Sequence, residues 1–250
     1  METSRAALYR NVAVVLVVVS IAAAGAFFVT SGLGNQHSST TPSSSKQCST
    51  ASVHVDGNFT IGSGYSLYFA GIAYDPQNDL LYVSSPETRS IYAVNPNNGS
   101  VIANMTGAGI SPGDLAYDPA NGYIYIVNGA SNSVSVLDTS TRTFVANITV
   151  GEGPNRIIYD PANSEIYVSI IGKVGSNTIA GAGVVAISSS SNSVVANISS
   201  GPYPAQMAYD AKNGYIYITH EVGNTTIIDG TSNTLVGIVF IPDYRYVASR

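Results

Sequence analysis

From residue 12 to residue 29 the chain is almost continuously apolar, VAVVLVVVSIAAAGAFFV, whereas beyond residue 70 short apolar runs alternate with polar turns. A run of about 20 apolar residues suffices to cross the roughly 30 Å hydrocarbon layer as a helix. Residues 12–30 are therefore predicted to form one transmembrane helix. Arg5 and Arg10 precede it and no charge follows until Lys46, so residues 1–11 are expected in the cytoplasm and the rest outside. This implies a single-pass plasma-membrane protein. A cleaved signal peptide would have an apolar core of about 7–15 residues ending at small residues. Small residues do occupy 22–26, but Phe27, Phe28 and Val29 carry the run past them and favour an uncleaved anchor. Residues 31–52, SGLGNQHSSTTPSSSKQCSTAS, hold too little apolar surface to offset their ordering entropy and read as a stalk.

Residues 53–250 form the folded part. AYDPQNDLLYV begins at Ala73, AYDPANGYIYI at Ala116, IYDPANSEIYV at Ile158 and AYDAKNGYIYI at Ala208. Asp75, Asp118, Asp160 and Asp210 thus recur at spacings of 43, 42 and 50 residues, and Tyr82, Tyr125, Tyr167 and Tyr217 keep the same intervals. Each unit divides into four short strands; in the second these are expected at 114–117, 123–127, 134–137 and 144–150. The D-P-x-N-G segment at 118–122 is turn chemistry: Asp and Asn bond back to the backbone, Pro fixes φ, and Gly tolerates positive φ. The four aspartates therefore read as turn-formers rather than catalytic carboxylates. The tyrosines read as core and inter-unit contacts. The third unit carries extra residues at 171–183, which places a loop between its second and third strands. Four strands in about 40–45 residues is the period of a propeller blade. The expected fold class is all-β, a β-propeller of four-stranded blades following the transmembrane helix.

The sequence P-x-x-x-A-Y-D-P-x-N-x-x-I-Y-V-x-N, continued by V-x-V-(I/L)-D and V-V-A-x-I-x-V-G, resembles the YVTN β-propeller repeat of archaeal surface-layer proteins. The match is closest at 112–151, with Tyr125, Ile126, Val127 and Asn128 standing for the tetrapeptide, and it extends over about 53–241. The resemblance implies a cell-surface or envelope protein that binds protein or glycan through its propeller faces, without catalysis and without a cofactor. The alternative it leaves open is an exported propeller enzyme, lactonase-like or another hydrolase, with a site in the channel. Only four full units are present. Residues 53–61 resemble a lone fourth strand and 244–249 a lone first strand. They could join as a partial fifth blade; otherwise the chain is truncated, or an open array associates with another copy through its free edges.

Charge and candidate chemistry refine this picture. The net charge is −5 and charged residues make up 10% of the chain, with no basic cluster, which argues against nucleic acid. Cys48 is the single cysteine, so no internal disulfide forms. His37, His54 and His220 stand apart from one another and from carboxylates at ligand spacing, so no metal site is expected; His220 ends a strand and reads as a solvated loop residue. Sequons for N-glycosylation occur at Asn58, Asn98, Asn104, Asn147, Asn197 and Asn224. Asn104, Asn147 and Asn197 share one repeat position, on the outer strand. Four residues before each repeated aspartate stand Gly71, Asp114, Arg156 and Gln206. The last three are candidates for binding a small polar ligand in the channel, against the plainer reading that Asp114 and Arg156 pair.

Overall fold

The repeated aspartates close the turns that separate the strands. The Oδ1 of Asp75 accepts the Gln77 N–H at 2.9 Å, that of Asp118 the Ala120 N–H at 2.8 Å, that of Asp160 the Ala162 N–H at 2.8 Å, and that of Asp210 the Lys212 N–H at 2.9 Å. Each turn ends on a left-handed residue, Asp79, Gly122, Ser164 or Gly214, with φ between 51° and 72°. Gly at two of the four relieves the steric cost of that conformation.

The computed structural model describes residues 71–174 and 179–240, all within one compact unit of the chain, Thr60–Arg250. The expected helix at 12–30, the stalk, Cys48, His37, His54, Asn58 and the strands expected at 53–61 and 244–249 lie outside the described residues. Within them no helix is long and apolar enough to cross a membrane.

The architecture is all-β. The first sheet holds β1 (Ile72–Asp75), β2 (Leu80–Ser85), β3 (Ser90–Val94) and β4 (Val101–Thr106). The second holds β5 (Pro112–Asp118), β6 (Tyr123–Asn128), β7 (Ser133–Asp138) and β8 (Thr143–Thr149). The third holds β9 (Pro154–Asp160), β10 (Glu165–Ile170), β13 (Gly183–Ser188) and β14 (Ser193–Ile198). The fourth holds β15 (Pro204–Asp210), β16 (Tyr215–His220), β17 (Asn224–Asp229) and β18 (Thr234–Phe240). Every sheet is an antiparallel meander in chain order, with its first strand at one edge and its fourth at the other. The extra residues of the third unit include a small separate pair, β11 (Lys173–Val174) with β12 (Ile179–Ala180), between β10 and β13. This repetition of four-stranded sheets fits a β-propeller.

The sheets pack face to face in sequence. The first strands β1, β5, β9 and β15 are neighbours in that order. The first interface buries Ala73, Tyr82, Ile91 and Met105 of one sheet against Leu115, Ile124, Ile126 and Leu137 of the next. The second and third interfaces repeat this with Tyr125 and Val134 against Val168 and Ile170, and with Tyr167 and Val184 against Ile216 and Ile228. Each fully buried aliphatic side chain contributes about 1.5–3 kcal/mol by leaving water. The charged residues so scarce in the sequence are not needed for this core.

A polar clasp adds direction to each interface. The repeated tyrosine on the second strand reaches into the turn between the third and fourth strands of the next sheet. Tyr125 Oη donates to the Ser189 carbonyl at 3.3 Å and lies 2.8 Å from Asn192 Oδ1. Tyr167 Oη lies 3.0 Å from the Gly230 carbonyl and 2.6 Å from Asn233 Oδ1. Tyr82 makes a longer contact to the Thr139 carbonyl, 3.4 Å. All three tyrosines are fully buried, and burial is the main cause that pushes the Tyr125 phenol up to about 12. Among the described residues Tyr217, in the last sheet, bonds within its own sheet, accepting the Asn213 amide at 3.0 Å.

Candidate functional site

The inner edge of the array is where the sequence places its polar ligand candidates. Three of the four first strands there are irregular, with a register break between Pro112 and Leu115, opposite Val168 and Ile170, and between Pro204 and Met207; β1 pairs with β2 without a break. The break takes backbone groups out of the ladder and leaves them to side chains. In three of the four sheets a hydroxyl on the second strand accepts a first-strand N–H. Ser84 Oγ accepts the Gly71 N–H at 2.7 Å and donates to the Gly113 carbonyl of the next sheet at 2.7 Å. Ser169 Oγ accepts the Arg156 N–H at 3.0 Å, and Thr219 Oγ1 the Gln206 N–H at 3.2 Å. These hydroxyls escape a motif-based reading of the sequence. Their signal is a Ser or Thr two residues after the repeated tyrosine, absent only in the second unit, which has Val127.

Asp114 and Arg156 continue the same stitching. Asp114 Oδ2 accepts the Ile157 N–H of the third sheet at 3.2 Å, and Arg156 Nε donates to the Ala205 carbonyl of the fourth at 3.1 Å. Asn155 reaches the Pro204 carbonyl as well, at 3.3 Å. Gln206 is exposed, and Gly71 offers no side chain. Two of the three candidates therefore bond to a neighbouring sheet's backbone and tie the sheets together. No three His, Cys, Asp or Glu side chains gather into a metal-binding group among the described residues.

Burial raises the Asp114 carboxyl above its ordinary value, opposed by the Ile157 N–H and the Arg156 charge. A group whose folded value is raised contributes stability below its unfolded value and loses it as pH rises through the folded one. Asp114→Asn, which cannot ionise, is therefore expected to raise the thermal midpoint near pH 7 and to leave it unchanged near pH 3. Unfolding curves of the two chains across that range check this.

His220 is a correction to the sequence reading. It is 4% exposed rather than solvated. Its Nδ1 lies 2.8 Å from the Pro202 carbonyl and its Nε2 2.9 Å from Thr226 Oγ1, which donates to the Ser200 carbonyl at 2.7 Å. The imidazole thus ties the linker entering the fourth sheet to its second and third strands.

The sequons separate by environment. Asn104 on β4, Asn147 on β8 and Asn197 on β14 are exposed, in one register: opposite Tyr92, Ser135 and Val185. Asn98 sits in the turn before β4, its Oδ1 held by the Ser100 N–H at 3.0 Å. Asn224 opens β17 with its Oδ1 buried and without a hydrogen-bond partner.

The fourth strand of the last sheet differs from these. Thr226 pairs with Ile238 where the other three sheets have asparagine. Leu235, Val236, Ile238, Val239 and Phe240 are 43–73% exposed. Val239 pairs with Thr225 in the register that Met105, Ile148 and Ile198 occupy elsewhere, yet those three are buried under a neighbouring sheet.

No family model and no curated protein matches the chain. Solved structures do match. Hydrazine synthase of Kuenenia stuttgartiensis is 21% identical with a TM-score of 0.59, over 74% of this chain and 53% of that one. The dihydro-heme d1 dehydrogenase NirN, solved in complex with DHE, is 12% identical with a TM-score of 0.55, over 69% of this chain and 38% of that one. The chain spans about half the length of the first and less of the second. At these identities the likeness defines a class of all-β fold and carries no activity across, because one fold hosts many functions.

Proposed function

We propose that the chain is a membrane-anchored, outward-facing β-propeller that acts as an interaction protein at the cell surface, without catalysis. The observation that carries this reading is β18. In a chain whose other outer strands alternate apolar residues with Asn and hydroxyls, it presents five large apolar side chains to solvent. Exposed apolar strands at a sheet edge are templates for strand addition, in which backbone hydrogen bonds give affinity and alternate side chains give specificity. The apolar span at 12–30 and the polar stalk at 31–52 support an arrangement that holds this surface away from the membrane. The stitching by Asp114 and Arg156 supports a cohesive inner edge rather than a catalytic one. The expected partner is a protein segment, and a second copy of the chain is among those that fit.

A photo-crosslinking residue placed at Ile238 of the full chain on intact cells tests this. A discrete adduct is expected from position 238 and none from Val145, which is equally exposed on β8. Equal labelling from both positions, or none from either, would contradict the assignment of β18 as the binding surface.

A further inference from the structure

Three of the four fourth strands carry the same decoration. Alternate residues of β8, Thr143, Val145, Asn147 and Thr149, face solvent; on β14 the sequence is Ser193, Val195 and Asn197, followed by exposed Ser199. On β4 the exposed pair is Asn104 and Thr106. In each case the Asn and the hydroxyl residue two positions later lie on one exposed face, because side chains alternate along a strand. The strand is the last of its sheet, so the amide and the hydroxyl are approached from the side that pairs with no other strand among the described residues. Asn224 has the same three-residue signature in the opposite setting, on a central strand with its amide oxygen buried.

We infer that Asn104, Asn147 and Asn197 are N-glycosylated and that Asn224 is not modified. The reaction joins the Asn Nδ2 to C1 of a sugar carried on a polyprenyl phosphate or diphosphate. The bond from C1 to the carrier's phosphate oxygen breaks, the lipid phosphate leaves with that electron pair, and the amide nitrogen gives up one proton. A glycan at these positions stands beside Ile102, Val145 and Val195, which are 45–48% exposed. It covers apolar surface and blocks edge-to-edge pairing along three outer strands. The fourth outer strand, β18, has Ile238 at this position. Among the described outer strands it alone stays bare, which leaves strand pairing to the surface assigned above to partner binding.

This inference rests on the outward orientation of the chain, and the experiment separates the two. The full chain is produced in a host that glycosylates Asn-x-Ser/Thr, with a reporter sequon added at its C-terminus, and intact cells are probed with protease. Glycopeptide mass spectrometry is expected to find sugar at the reporter and at Asn104, Asn147 and Asn197, with none at Asn224. Each of N104Q, N147Q and N197Q removes one step of gel mobility shift, and N224Q removes none. A protease-accessible chain with a modified reporter and three bare asparagines overturns the glycosylation sites while the orientation stands. Sugar at Asn224 overturns the selection by burial. A protected chain with a bare reporter overturns the orientation and the glycosylation with it.

Discussion

Tyr125→Ala is expected to cost about 3–5 kcal/mol, while Tyr217→Ala, at the same repeat position, costs about 1 kcal/mol. Both side chains stand on the second strand of a sheet, in the same AYD-initiated motif. What differs is the neighbour. Tyr125 is fully buried and its hydroxyl meets Ser189 and Asn192 of the third sheet. Truncation removes the ring from between two sheets, opens a cavity there, and takes away the one hydroxyl proton that the Ser189 carbonyl and Asn192 Oδ1 share. Leaving buried polar groups unsatisfied costs about 1–3 kcal/mol on its own. Tyr217 is half-buried and bonds to Asn213 of its own turn, with no such socket beyond it among the described residues. Thermal unfolding of the full-length variants in detergent measures the difference. Equal losses would mean that the last sheet is clasped as the second is.

The second large effect is expected at Gly71. A Cβ there would lie 2.5 Å from Leu115 Cδ1 and 2.6 Å from the Asp114 Cα, and would also press on the Gly113 carbonyl oxygen. Two of those atoms are backbone and cannot turn aside. Gly71→Ala therefore forces the first and second sheets apart at their inner edge, where Ser84 bridges Gly71 to Gly113. Overpacking of this kind costs about 1–3 kcal/mol. Gly237, which has open space around its Cβ position, serves as the control: Gly237→Ala is expected to leave the midpoint unchanged or slightly raised.

Much of the fold is legible in the repeat itself. The period of the aspartates and tyrosines predicts four sheets of four strands, and the D-P-x-N-G segment predicts turns that the Asp118 and Asn121 side chains then close. Strand limits are less legible. The expected 114–117 becomes Pro112–Asp118, because Pro112 pairs with Asn128 across the register break, which no local pattern encodes. Of the extra residues at 171–183, all but Gly183, which opens the third strand, fall between the second and third strands of their sheet, as a count of turn signals implies.

The site is less legible than the fold, for a physical reason. Asp114, Arg156 and Gln206 are found by counting back from the aspartates, but what each side chain touches depends on the neighbouring sheet, 43 or 49 residues away in the chain. His220 shows the same limit: its partners Pro202 and Thr226 lie 18 and 6 residues away, and only the packed sheet brings both to the ring. The sequons are fully legible as motifs, whereas the contrast between exposed Asn147 and Asn224, whose Oδ1 is buried, arises from strand position. The bareness of β18 is written in the sequence, where Ile238 breaks the series Asn104, Asn147 and Asn197. It gains meaning only once the register shows these residues to be equivalent.

The proposal as a whole depends on the array standing outside the cell on an uncleaved anchor. Its most direct measurement is protease treatment of intact cells bearing the full chain with distinct epitopes at the two termini. The account predicts that the C-terminal epitope and the array are lost while the N-terminal epitope survives on a short membrane-bound fragment. Survival of both epitopes, or release of the array into the medium before any protease is added, would contradict it.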